Sequence, residues 1–327
     1  MTARPVYSTP RRPIWRRRPL RLVLLALVLG SSLGAGAVTT NAFGVGTEFE
    51  GLQRRISLLI DPPPNRPTRP TITVTPPPVL AAPGTPSPTR RPTPAPTPIL
   101  PGSPPTPEPT PEPTPKPTPT PQRKPVDVNI LRDSEPLFTS QLTKEWCAPA
   151  GVQMVLMIHG LVDARPEVQE ELAAKVETWE SWEDSHNGGW GPAAMVEALD
   201  AYGATGYEIR AYETRADALR DSARAISETG APVILLAWRG AHTWVMTGYR
   251  ADADPRTFAD ARVAGAYVLD PWYPRVSSIW GASDPAGTYQ NRAEMERNFL
   301  AWRRPEGKYP ERDGKWIAVV PTQPLAR

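Results

Sequence analysis

From Asp61 to Pro125 the chain is little else than proline and threonine punctuated by charges, as in Pro107-Glu-Pro-Thr-Pro-Glu-Pro-Thr-Pro-Lys-Pro-Thr-Pro-Thr-Pro121. Proline has no N–H to donate and keeps the residue before it extended, so such a stretch is expected to build neither helix nor sheet. Its expected form is a semi-rigid, disordered-type polyproline stalk with a reach of up to roughly 3.1 Å per residue, its threonines open to O-glycosylation. A globular domain must therefore come from the chain beyond residue 126, about 200 residues, which suffices for one core.

The charges divide at the same point. Of the 37 Lys/Arg and 34 Asp/Glu, 16 and 5 precede residue 126, and 21 and 29 follow it. The overall charge of +3 thus hides a basic N-terminal part and a folded part at net −8, which would repel phosphate. No nucleic-acid partner is expected.

Arg4, Arg11, Arg12, Arg16, Arg17, Arg18 and Arg21 precede the apolar run Leu22 to Leu29, after which Gly and Ser dilute it up to Val38. This reads as an export signal within residues 1–44. Ala35-Gly36-Ala37 suits a signal peptidase, while Leu22 to Phe43 could span a bilayer as a signal anchor, which needs about 20 residues. Either way the arginines stay inside and the rest is sent across, giving an extracytoplasmic protein that is membrane-anchored or, if cleaved, secreted. Val45, Phe49, Leu52, Ile56 and Leu59 then repeat with 4-3-4-3 spacing, so residues 45–60 are expected to form a short amphipathic helix, lying on lipid headgroups or self-associating.

Beyond residue 126 helical periodicity appears at about 148–159, 166–178, 192–202, 214–229 and 292–302, with Gly203 and Gly230 where helix stops belong. Extended apolar runs appear at about 206–212, 232–238, 243–249, 265–269 and 315–320. Helices come first and most strands later, so an α+β domain is expected, with N-terminal helices packed on a mostly antiparallel sheet.

The chain has one cysteine, Cys147, so no intramolecular disulfide can hold this domain. Its segment reads Gln141-Leu-Thr-Lys-Glu-Trp-Cys147-Ala-Pro-Ala-Gly-Val-Gln-Met-Val-Leu-Met-Ile158. Pro149 must lie in the first turn of the helix that follows, which puts Cys147 at the helix start. There the free N–H groups and the positive end of the dipole favour a thiolate, the species that attacks carbonyls. The plainer reading is a small buried apolar residue.

A thiol nucleophile needs a proton carrier, and there are three histidines. His159 lies twelve residues along the same helix, about 18 Å away, and is read as a helix-end residue. His186, in the Gly-rich Asp184-Ser-His-Asn-Gly-Gly-Trp190, is read as a solvated turn residue in a loop able to swing towards a cleft. His242 opens the apolar strand His242-Thr-Trp-Val-Met-Thr-Gly-Tyr249, and the next strand, Ala266-Tyr-Val-Leu269, runs into Asp270-Pro271. If the two pair as an antiparallel hairpin, Asp270 lies beside His242 and can orient its ring. The alternative for Asp270 is a turn-forming Asp-Pro, as at Asp254-Pro255 and Asp284-Pro285. Gln141 stands one short turn upstream of the cysteine, where its amide could join the Cys147 backbone N–H as an oxyanion donor.

Gln-x5-Cys opening a helix, Gly-x-His before a strand ending in Gly-Tyr, and an apolar strand running into Asp-Pro together resemble the papain-like cysteine peptidases of the bacteriocin-leader-peptidase type, over about residues 135–275. The resemblance implies a papain-like fold and the roles of oxyanion donor, nucleophile, base and orienter for Gln141, Cys147, His242 and Asp270. The sequence departs from the usual Cys-Gly-Pro-Ala at Ala148 and carries Trp146 where a small polar residue is common. The leader-peptidase substrate does not carry over, because those domains are attached to transporters on the cytoplasmic side.

The expected activity is that of an extracytoplasmic thiol peptidase or amidase acting on a peptide or protein, with no metal or organic cofactor. A cell-wall amidase with the same triad and a catalytically silent, surface-displayed binding module are the alternatives. Most tryptophans of the folded part are expected in the core, with Trp146, Trp190 and Trp272 as candidate walls of a substrate cleft.

Overall fold

Five apolar runs expected to be strands form the middle of one sheet, and the helices start close to where the 3.6-residue periodicity puts them, although the one expected over 292–302 ends at Asn298 and the one over 166–178 is broken at Lys175. The computed structural model describes residues 69–75, 121–179, 190–303 and 309–324. The chain divides into two compact units, Met1–Arg66 and Pro67–Arg327, and every described residue belongs to the second. The export segment 1–44, the amphipathic helix expected at 45–60, His186 and most of the Pro/Thr stretch lie outside the described residues. Among the described residues, no helix is long and apolar enough to cross a membrane.

The strands are β1 (Thr71–Val74), β2 (Val126–Asn129), β3 (Tyr207–Tyr212), β4 (Val233–Ala237), β5 (His242–Ala251), β6 (Val263–Leu269), β7 (Val276–Ser277), β8 (Gly281–Ala282), β9 (Thr288–Asn291) and β10 (Trp316–Pro321). The helices are α1 (Cys147–Ile158), α2 (Pro166–Ala174), α3 (Val176–Trp179), α4 (Pro192–Ala201), α5 (Arg215–Thr229) and α6 (Arg292–Asn298). The main sheet runs β1-β3-β10-β4-β5-β6-β9, with β2 paired to the far half of β5, and β7 with β8 makes a separate small hairpin. Among the described residues only β1 with β3 is parallel; the other pairings are antiparallel.

Strand residues alternate between two cores. Ile234, Leu236, Val245, Ile317 and Val319 face α1, α2 and α4 on one side of the sheet. Val233, Leu235, Trp244, Met246, Ala318 and Val320 face α5 and the Met295–Phe299 end of α6 on the other. A sheet covered on both faces explains why β4 reads VILLA, apolar at every position. The expected α+β architecture, helices on a mostly antiparallel sheet, is what the chain adopts.

The Pro/Thr stretch departs from expectation. Thr71-Ile-Thr-Val74 is a β-branched island without proline, and it pairs in parallel with β3, from Thr71 opposite Ile209 to Val74 opposite Tyr212. It sits at a sheet edge, where only one side of the strand needs ladder partners, so Pro70 and the prolines from Pro76 on cost it nothing. Arg69 is ion-paired with Glu197 and Asp200 of α4, and the buried Arg312 donates to Thr71 Oγ1 at 2.9 Å. The first described strand of the folded unit is therefore at residue 71, and β2, from residue 126, pairs into the same sheet.

Candidate active site

Cys147 is the first residue of α1, capped by Trp146, and the first bond of the helix runs from the Ala150 N–H to the Trp146 carbonyl. The Cys147 N–H thus precedes the helical ladder and points out of the helix start. From Ala148 to Met157 the helix is buried all round. Gly151, one turn on from the cysteine, lets it settle on β5: a Cβ there would collide with Thr243 Cγ2. That close approach brings the sulfur to the strand, 3.9 Å from Thr243 Oγ1 and 4.0 Å from the Ala241 carbonyl oxygen. Cys147 as a whole residue is half-buried.

His242 is the first residue of β5 and is 2% exposed. Pairing of β5 with β6, Val245 opposite Leu269, places Asp270 diagonally beyond the end of the ladder. The His242 Nε2 lies 2.7 Å from Asp270 Oδ1, which also accepts the Trp272 N–H at 2.9 Å. Since a carboxylate only accepts, Nε2 carries the proton and the other ring nitrogen is left for the sulfur. Burial alone would lower the imidazole pKa, but the Asp270 charge and hydrogen bond, with the Cys147 sulfur, raise it to about 9. Burial likewise raises the Cys147 thiol, yet the hydrogen bond and charge of His242 and the Thr243 hydroxyl bring it below its ordinary value. Each group favours the charged form of the other, which is the condition for a thiolate–imidazolium pair.

The structure brings Cys147, His242 and Asp270 together. Gln141 is differently employed. It is buried, and its Nε2 donates both protons, to the Thr143 carbonyl at 2.8 Å and the Lys144 carbonyl at 2.9 Å. The expected oxyanion donor is therefore already committed to its own loop, whose carbonyls turn inward and need a buried donor. That loop is sewn to the segment after Asp270 by the Gln141 N–H on the Pro271 carbonyl at 2.8 Å, by Ser140 Oγ on the Tyr273 carbonyl, and by Arg275 on the Leu142 and Thr143 carbonyls.

Of the candidate cleft walls, Trp272 meets the His242 ring edge-on, centroids 6.4 Å apart at 87°. Trp146 caps α1 next to the thiol. Trp190 instead packs edge-on against Trp179, 5.6 Å away, as part of the core under α1, because its Gly-Trp segment leads straight into α4. It does not line the site as expected. His159 caps the far end of α1 with its Nε2 3.0 Å from the Tyr207 phenol oxygen Oη, a helix-end residue as read from the spacing.

Two neighbours of the site escaped the sequence reading. The Thr243 hydroxyl stands 3.9 Å from the Cys147 sulfur, and the Trp238 ring lies stacked on His242. The only signal for either was adjacency to His242. Among the described residues, no three His, Cys, Asp or Glu side chains gather as a metal site.

A thiol at a helix start, an imidazole at the head of a neighbouring strand and a carboxylate holding that imidazole define a papain-like cysteine peptidase. The chain belongs to the Peptidase_C39 like family, whose sequence model matches residues 136–302. A solved structure similar to it is a double glycine motif protease from an AMS/PCAT transporter, in complex with the leader peptide. That similarity has 16% sequence identity and a TM-score of 0.29, over 57% of this chain and 91% of the other. No curated protein sequence matches the chain.

Proposed function

We propose that the protein is an extracytoplasmic cysteine peptidase that cleaves an amide bond of a peptide or protein through a thioester. His242 takes the thiol proton of Cys147 and holds it as an imidazolium opposite Asp270. The thiolate attacks the substrate carbonyl, and the Cys147 N–H at the start of α1 stabilises the oxyanion. The imidazolium returns its proton to the leaving amine, and water, deprotonated by His242, releases the acyl group. Gln141 keeps the 141–147 loop in shape, and Trp146 and Trp272 stand beside the reacting atoms.

The observation that carries the reading is the 2.7 Å contact of His242 with Asp270 beside a thiol whose pKa the same imidazole lowers. The placement outside the membrane rests on the arginine-flanked apolar segment before residue 44, with that segment as the anchor.

The test is alkylation of the lone cysteine with iodoacetamide at pH 7, in the native chain and in His242→Ala, alongside cleavage of a peptide library. Fast labelling and cleavage in the native chain, both lost in the variant, are expected. Equal labelling in the two removes the base assignment, and labelling without cleavage favours a binding module.

A further inference from the structure

Beginning four residues before His242 the backbone does something a core strand has no need of. Trp238 and Arg239 both have positive φ, 51° and 63°, followed by Gly240 at 85°. Left-handed geometry at two consecutive non-glycine residues is unfavourable and persists only where the surroundings over-determine it. They do so here. The Trp302 ring packs so closely on Gly240 that a Cβ there would collide with it, the Arg303 N–H bonds the Arg239 carbonyl at 3.1 Å, and the Trp238 Nε1 donates to Asn298 Oδ1 at 3.0 Å.

The result of this turn is to lay the buried Trp238 indole flat on the His242 imidazole, centroids 3.9 Å apart and planes 18° from parallel. A second indole, Trp280 next to the β7–β8 hairpin, lies parallel to Trp238 at 5.7 Å and 6°. Trp272 meets the same imidazole from the edge. The terminal torsion of histidine is broad, so a hydrogen bond to Asp270 through one nitrogen does not by itself fix the ring plane. A flat neighbour on its face does.

We propose that Trp238 is a positioning residue for the peptidase reaction, its stacked indole holding the His242 ring in the single plane that serves Asp270 and Cys147 at once. The inference rests on the triad reading above. The charged and titratable groups facing the imidazole are Asp270 from the end of β6 and Cys147 from the start of α1, and Trp238, Trp272 and Thr243 are neutral. Trp238 therefore acts through geometry and through the π face it offers the ring, which favours an imidazolium over a neutral imidazole.

The experiment measures iodoacetamide labelling of Cys147 against pH in the full chain, reading where the rate rises as the thiolate forms. In the native protein that rise is expected below the ordinary thiol range near pH 8.5. Trp238→Ala is expected to move it up by about one pH unit and lower the rate at pH 7 roughly tenfold, as the thiolate fraction falls. Trp238→Phe, which restores a flat face, keeps the native profile. Asn298→Ala, which frees the indole to turn without removing it, moves the rise in the same direction and covers the case in which Trp238→Ala does not fold. A rise left in place in the folded Trp238→Ala or Asn298→Ala chain overturns the inference, since a core-packing role alters stability and leaves the profile where it was. A native profile like that of an ordinary thiol removes the triad reading itself, a different outcome read from a different sample.

Discussion

Cys147 and His242 each carry a pKa displaced by the other, and the two displacements act on stability in opposite senses. His242 is raised to about 9 from an ordinary value near 6.5, so its contribution is fully present below about pH 6.5 and is lost as pH climbs through 9. Cys147 is lowered, so its contribution is present above its unfolded value near 8.5 and is lost as pH falls through the folded one. Where the pH lies above the lowered Cys147 value and between about 6.5 and 8.5, the folded pair and the unfolded pair hold the same one proton, and the two slopes offset each other. Native stability is thus expected to be flat across that window. In Cys147→Ala, where only the imidazole titrates, stability is expected to decline from pH 6.5 upward. Urea midpoints measured at several pH values distinguish the cases, and parallel curves for the two chains contradict the coupling. Gln141 makes a second residue-scale prediction. Gln141→Leu leaves the Thr143 and Lys144 carbonyls without their buried donor, at a cost of about 1–3 kcal/mol, seen as a lower urea midpoint with an unchanged slope. A free oxyanion donor would behave the other way, with stability kept and turnover down by about 10²–10³.

The two elements that carry the site were legible because each has a strong local rule behind it. Pro149 pins the start of α1, and the β5–β6 run into Asp-Pro pins the hairpin end, so Cys147, His242 and Asp270 could be placed from spacing alone. What spacing could not supply is the distance between the two elements. That is set by Gly151, whose absent side chain admits Thr243, and nothing in a helical pattern distinguishes this glycine from an ordinary weak helix former. Gly151→Ala is accordingly expected to push α1 off β5 and cost on the order of 10²-fold in kcat/KM, with helix content by circular dichroism unchanged. A fully active Gly151→Ala chain shows that β5 yields instead. The short strands β2, β7, β8 and β9 went unread for a related reason: two to four residues are too few to establish an alternation. Trp238 was invisible for another, since a tryptophan ending an apolar run reads as core until the left-handed turn after it is seen.

At the scale of the whole molecule, composition misled where a local exception outweighed it. A stretch dominated by proline was expected to stand apart from the domain, yet its one proline-free β-branched run closes the free edge of β3. The described strands on either side of that stretch, β1 and β2, consequently belong to the same sheet. The clasp also gives Arg312, buried beneath the Trp302 and Tyr309 rings, its bond to Thr71. Losing β1 removes a sheet edge cover, that hydrogen bond and the packing of Val74 on the α5 side, together on the order of 2 kcal/mol. A chain starting at Pro121 is therefore expected to melt about 4–8 °C below one starting at Pro67. Its alkylation rate should be unchanged, because β1 is four strands away from β5, about 19 Å across the sheet. Equal melting temperatures mean that β1 rests on the sheet without stabilising it, and slower labelling in the shorter chain means that the edge and the site are coupled through β3, β10 and β4.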